Sequence, residues 1–161
     1  MKFFAVLALC IVAATAAPLT ADEAALVKAS WANIKHNEVD ILYNFFKDHP
    51  EHQQRFPAFV NKDLAALKDT AKFATHATRI ISALNEVIEL GGNEATAPAL
   101  RTVLSELGSS HKRRGISKEA FGDFKTSFFT YLKGQVTWGD NVEAAWNKAY
   151  ENAFGVIFAQ Y

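Results

Sequence analysis

Cysteine is almost missing from this chain: Cys10 is the only one among 161 residues. No disulfide can form within the chain, so the fold must rest on its core or on a bound cofactor. Prolines number four, all at the ends of helical patterns, so none breaks a helix from within. Neither sign of charge prevails, with 17 Lys and Arg against 17 Asp and Glu. That balance supplies no field to draw in nucleic acid or an anionic membrane. Repeats, linkers and low-complexity stretches are missing too, and no segment alternates convincingly with period two. With half its residues hydrophobic and 12% aromatic, the chain suits one all-α globular domain with a real core.

The opening MKFFAVLALCIVAATAA reads as a secretory signal peptide: a lysine, an apolar run, then small residues. Ala14-Thr15-Ala16 fits the cleavage pattern, which divides the chain into a leader at 1–16 and a mature domain at 17–161. The run from Phe3 to Val12 is short for a bilayer, which needs about 20 apolar residues, so no membrane anchor is expected. Lys2 and Cys10 leave with the leader, and the mature formal charge becomes −1 (16 − 17), histidine counted as neutral. A secreted, extracellular protein is expected.

The periodicity is helical nearly throughout. Thr20 to Glu23 makes a capping box, followed by a stripe of Leu26, Val27, Ser30, Trp31 and Ile34. Ile41, Leu42, Phe45 and Phe46 mark a second helix ending before Pro50, and a short turn at 51–56 leads to a corner at Pro57. A long helix from about Asp69 to Glu89 is stopped by Gly91-Gly92. The next starts near Pro98 and ends at Gly115, with Leu100, Val103, Leu104, Leu107 and His111 as its stripe. Ser117 caps another, whose buried face is Phe121, Phe124, Phe128 and Leu132. Asp140 to Glu143 reads as a second capping box, before a helix burying Val142, Trp146, Ala149, Ala153 and Ile157.

Two histidines break the pattern. On the Asp69–Glu89 helix, Phe73, Ile80, Leu84 and Val87 fall along one line. His76 stands about 60° from Phe73, and Arg79 about 60° further toward solvent. His111 lies within about 20° of Leu100, near the middle of its own stripe. A ring nitrogen left unpaired there would cost about 1–3 kcal/mol. Taken singly, each reads as a core histidine with a satisfied ring. Together they put two imidazoles on helices joined by a glycine-containing loop. A bare zinc site wants three or four ligands, and no third one falls on these stripes. Haem brings its own nitrogens and needs only one or two protein ligands, for which neutral imidazole is common. Without C-x-x-C-H it would be held non-covalently, as haem b. Phe45, Phe46, Phe56, Phe59 and Phe73 offer rings to wedge a macrocycle. Arg79 and the run Lys112-Arg113-Arg114 offer cations to its propionates. That run serves equally as favourable charge at a helix C-terminus. His36, His49 and His52 are expected to be surface residues, and the three tryptophans to be packing residues.

The order of elements, Phe56 at the corner, THATRI with His76 and SHKRRG with His111 together resemble the globins. The leader, ILYNFFKDHP, KDLAALK and THATRI resemble more closely the secreted larval haemoglobins of midges. The resemblance covers nearly the whole mature chain and implies a globin fold around a haem pocket. It implies that His111 is the proximal histidine on iron and His76 the distal histidine. It further implies that Ile80 is the apolar residue one turn on, Phe56 a ring against the haem, and Arg79 a residue near a propionate or the pocket mouth. The two histidines stand 35 positions apart, more than is usual in the family, which places the surplus in GGNEATAPAL.

With His111 on one side, the opposite side is open to dioxygen or another diatomic gas, and an N–H from His76 would donate to it. Reversible oxygen transport or storage, without catalysis, is the expected function. A haem-dependent peroxidase or nitric oxide dioxygenase is the alternative on the same fold. A haem-free helical carrier of lipids would ordinarily depend on disulfides, and none can form here.

Overall fold

Thr20 closes the first capping box in full. Its hydroxyl accepts the Glu23 amide at 3.2 Å, and the Glu23 carboxylate accepts the Thr20 amide at 2.7 Å. Helix α1 (Ala21–Ala32) starts from it. The computed structural model describes residues 17–161, so the expected leader and its cleavage site lie outside the described residues. The helices that follow are α2 (Glu38–Asp48), α3 (Pro50–Gln53), α4 (Leu64–Lys68), α5 (Ala71–Leu90), α6 (Ala97–Arg113), α7 (Lys118–Lys133) and α8 (Asp140–Phe158). No strand occurs among the described residues. A 3-10 turn at Glu94–Thr96 lies in the GGNEATAPAL stretch, and Pro98 sits in the first turn of α6.

The expected capping box at Asp140 does not form. Asp140 is already helical, Gly139 takes the cap position, and no side chain caps α8. Glu143 is engaged elsewhere, accepting from Trp138 Nε1 at 2.8 Å and Lys133 Nζ at 3.2 Å.

Two groups of buried side chains make the core. Val27, Trp31 and Ile34 of the α1 region join Ile81 and Ile88 of α5, Phe128, Phe129 and Leu132 of α7, and Trp146 and Tyr150 of α8. The other group gathers Leu42, Phe45 and Phe46 of α2 with Phe59, Leu67, Phe73 and Ala77. Ile80 and Phe124 pack against both groups. Trp146 Nε1 donates to Ser30 Oγ at 2.8 Å and Trp31 Nε1 to Asn85 Oδ1 at 2.9 Å, so both buried indoles are satisfied.

On α5 the fully buried line is Phe73, Ala77, Ile81 and Ile88. This line is turned about 50° from the expected stripe, away from His76. Ile80, Leu84 and Val87, on the His76 side, are only half-buried. Helix α6 behaves alike: Leu104 and Gly108 are buried, whereas Leu100, Val103, Leu107 and His111 are half-buried. Each of these helices therefore carries an apolar arc wider than its helix neighbours cover, and each arc borders a histidine.

Gly108 sets how closely α6 approaches α8. A Cβ there would stand 2.5 Å from the Ile157 carbonyl oxygen and 3.1 Å from its Cα, and this backbone cannot swing aside. Gly108→Ala is expected to destabilise the chain by about 1–3 kcal/mol through overpacking. The opposing Ile157 atoms are backbone, so the cost belongs at the upper end of that range. The helix-propensity gain of about 1 kcal/mol offsets only part of it. A urea midpoint equal to that of the parent chain would show that the approach does not constrain α6.

Candidate functional site

His111 sits one turn beyond Gly108, near the C-terminal end of α6. Its Nδ1 lies 2.9 Å from the Leu107 carbonyl oxygen. A carbonyl can only accept, so the proton is on Nδ1 and Nε2 keeps its lone pair. The ring is half-buried and rests on Phe121, with centroids 5.1 Å apart. Phe121 in turn meets Phe154, Phe158 and Tyr161 from the end of α8. Burial pushes the His111 pKa below the ordinary imidazole value. The hydrogen bond to Leu107 opposes this, and the Arg114 charge adds to it. The ring is thus a neutral donor with its tautomer set by its own helix.

His76 stands on α5 among rings. Phe56 meets it edge-on at 4.8 Å and Phe59 at 5.7 Å, with interplanar angles of 82° and 84°. Its pKa is also lowered, first by burial, then by the charges of Arg79 and Arg114. Thr70 caps α5 by accepting the Phe73 amide, which fixes the helix start about one and a half turns before His76. The corner holding Phe56 and Phe59 is tied down by Gln53. That buried amide donates to the carbonyls of Phe59 at 2.9 Å and Lys62 at 2.8 Å. Nothing in the sequence pattern marked Gln53, because its partners are backbone atoms of an irregular loop.

An open cavity of about 420 Å³ lies at this corner, lined among others by Phe56, Phe59, Lys72, Thr75, His76 and Arg79. Three of the five expected site residues therefore meet around one cavity: Phe56, His76 and Arg79. Ile80 lies a turn further along α5, bridging the two core groups. His111 does not line the cavity and belongs to α6, which packs beside α5. The link between the two histidines is Arg114, whose charge depresses both pKa values. Arg114 also donates to Ser110 Oγ at 2.7 Å. Lys112 is engaged with the end of α8, donating to the Gln160 carbonyl at 2.9 Å. Of the basic run, Arg114 is thus the member electrostatically coupled to the site, and Lys72 is a cavity-lining cation that the sequence reading passed over.

Both histidines favour the neutral form in the folded state, so unfolding takes up protons in acid. Stability from this source is complete above the ordinary value of 6.5 and is lost as pH falls through it toward the lower folded values. In the haem-free chain the urea midpoint should drop between about pH 7.5 and about pH 5, and the drop should shrink when both rings are replaced by glutamine. An unchanged drop in that double variant would assign the acid sensitivity to other groups.

His49 and His52 are not the plain surface residues expected from their turn. Their side chains are 23% and 15% exposed, and His52 Nε2 lies 2.8 Å from Asp123 Oδ2 on α7. His36 is exposed, as expected.

A haem group fits these residues on three grounds. The Nε2 lone pair of His111 is free and its ring neutral. The apolar arcs of α5 and α6 extend beyond what the helices bury. Cations stand beside both rings.

The family model described as Globin matches residues 39–157. A globin of Chironomus thummi thummi, CTT-VIIB-3, is 58% identical over 157 residues, 98% of either chain. A haemoglobin component (TA-VII) from Tokunagayusurika akamusi superposes with a TM-score of 0.88 at 44% identity, covering 90% of this chain and 97% of that one. A Drosophila melanogaster globin gives a TM-score of 0.79 at 28% identity, over 88% of this chain and 94% of its own.

Proposed function

The chain belongs to the globin family, and on that premise we propose that it holds haem b non-covalently and takes up dioxygen reversibly, as a transport or storage protein. The observation that carries this is the His111 ring: Nδ1 committed to the Leu107 carbonyl and Nε2 left as a neutral lone pair. When bound, haem would supply a ferrous iron able to take up a diatomic gas. His111 would hold the group, and the Phe121 ring beside it limits how far the imidazole can turn. His76 is the polar side chain set edge-on between Phe56 and Phe59. It would offer the N–H that steadies the gas. Ile80, packed between the two core groups, would help keep water from the same space. Arg79, Arg114 and Lys72 are the cations suited to the propionates.

Secretion through the leader at 1–16 accompanies this proposal, and the carrier would work in an extracellular fluid as a monomer or homodimer. No helix among the described residues is long and apolar enough to cross a membrane. A non-enzymatic carrier is the reading that the relatives' names, globin and haemoglobin, support.

The test is an absorption spectrum of the purified chain in deoxy, oxy and carbon monoxide forms. A Soret band that shifts reversibly with oxygen is expected. Colourless protein unable to take up added hemin would overturn the proposal, and fast sustained peroxide turnover would move the reading to an enzyme.

A further inference from the structure

The end of α2 and the start of α3 meet α7 at a group of side chains that the oxygen carrier does not use. His49, Glu51, His52 and Asp123 each offer one ligand atom, and these atoms all lie within 4.8 Å of one another. His49 Nδ1 is 3.5 Å from Glu51 Oε1, His52 Nε2 is 3.9 Å from the same oxygen, and His52 Nε2 is 2.8 Å from Asp123 Oδ2. A tetrahedral zinc site with bonds of about 2.0–2.2 Å has ligand–ligand edges of about 3.4 Å. The observed separations bracket that value. The shortest is a hydrogen bond, and it would open by about half an ångström once a cation replaced the shared proton.

The two imidazoles are also braced. His52 stacks on Phe45 with centroids 5.2 Å apart and planes 16° apart, and His49 flanks the same ring at 6.0 Å. The Glu51 side chain is 62% exposed and free to close over the site. Two neutral imidazoles and two carboxylates would balance the charge of a divalent cation. This nitrogen and oxygen donor set suits zinc, copper(II) or nickel(II), and it lacks the thiolates that favour softer ions.

We infer that His49, Glu51, His52 and Asp123 form a binding site for a divalent transition cation, with zinc as its reference ion. The cation would clamp the α2–α3 corner to α7 and so stabilise the folded chain by mass action. The site shares no residue with the proposed haem pocket, so the two can stand or fall separately.

The experiment is calorimetric titration of zinc chloride into the full chain, prepared without a histidine tag. One equivalent per chain is expected, together with a zinc-dependent rise in Tm. His52→Gln should weaken binding by more than about 100-fold, beyond the 10- to 100-fold cost of losing an outer-shell partner. His49→Gln leaves the His52–Asp123 hydrogen bond in place, so it tests ligation even if the His52 variant folds poorly. It should abolish the zinc-dependent rise in Tm, whereas His36→Gln should preserve it. Absence of saturable binding would overturn the assignment. So would binding that survives both His49→Gln and Glu51→Gln unchanged, since that leaves only the His52–Asp123 pair or a site elsewhere.

Discussion

His111→Ala should leave a folded chain that cannot retain haem. The substitution removes the whole imidazole: the Nδ1 that is held on the Leu107 carbonyl, and with it the free Nε2 lone pair. The folding cost should be small. His111 is half-buried, and alanine has the highest helix propensity, better than histidine by about half a kcal/mol. The fully buried contacts of α6, Leu104 and Gly108, are untouched. Haem affinity should therefore fall by more than about 100-fold, exceeding the loss typical of an outer-shell partner, while far-ultraviolet circular dichroism stays near that of the parent. Free imidazole in the buffer should restore part of the haem content, because it returns the missing lone pair without the side chain. Normal haem content and an ordinary spectrum in the alanine variant would refute the assignment.

Much of this site was legible because a polar ring on an apolar helical stripe is conspicuous at period 3.6. His76 and His111 stood out for that reason, and Phe56 did so as an aromatic just before the Pro57 corner. Helix limits were legible where a side chain caps them, as at Thr20 and Ser117. The Asp140 box misled because the same four residue types also fit a helix already begun, and Trp138 and Lys133 claim the Glu143 carboxylate. Other features depend on partners far along the chain. Asp123 lies 71 positions from His52, so their pairing has no local signature. Gly108 is silent in a pattern of apolar residues, since a glycine reveals a close approach only when the opposing backbone is known.

The rotation of the α5 stripe carries a physical lesson. Periodicity finds the centre of all apolar positions on a helix, whatever covers them. Packing with other helices buries only part of that arc. The remainder, Ile80, Leu84 and Val87, stays half-buried on the side of α5 that carries His76, and on α6 the corresponding remainder, Leu100, Val103 and Leu107, lies on the side that carries His111. Burying such a side chain from full exposure contributes about 1.5–3 kcal/mol, so covering what stays accessible on these strips would contribute a fraction of that per residue. A flat apolar macrocycle between α5 and α6 is the kind of group that would cover them.

His76→Leu should speed dioxygen dissociation about 10- to 100-fold. A hydrogen bond to a charged acceptor contributes about 1.5–3 kcal/mol, and about 1.4 kcal/mol is a factor of ten. Dioxygen in such a pocket gains partial negative charge and carbon monoxide gains less, so carbon monoxide dissociation should change far less. Leucine is apolar and would sit against the edges of Phe56 and Phe59, so the fold should tolerate it. Stopped-flow displacement of oxygen measures the rate directly, and the variant should also oxidise faster on standing. An unchanged rate would transfer the donor role to Arg79, which lines the same cavity. Acid offers a second control. The parent's His76 is kept neutral by burial and by the charges of Arg79 and Arg114. Once pH falls below its lowered pKa the ring becomes a third cation beside those two, and repulsion together with the pull of solvent should draw it out of the pocket. Oxygen dissociation from the parent should then accelerate in acid toward the rate of the leucine variant, while the variant itself stays nearly flat over the same range.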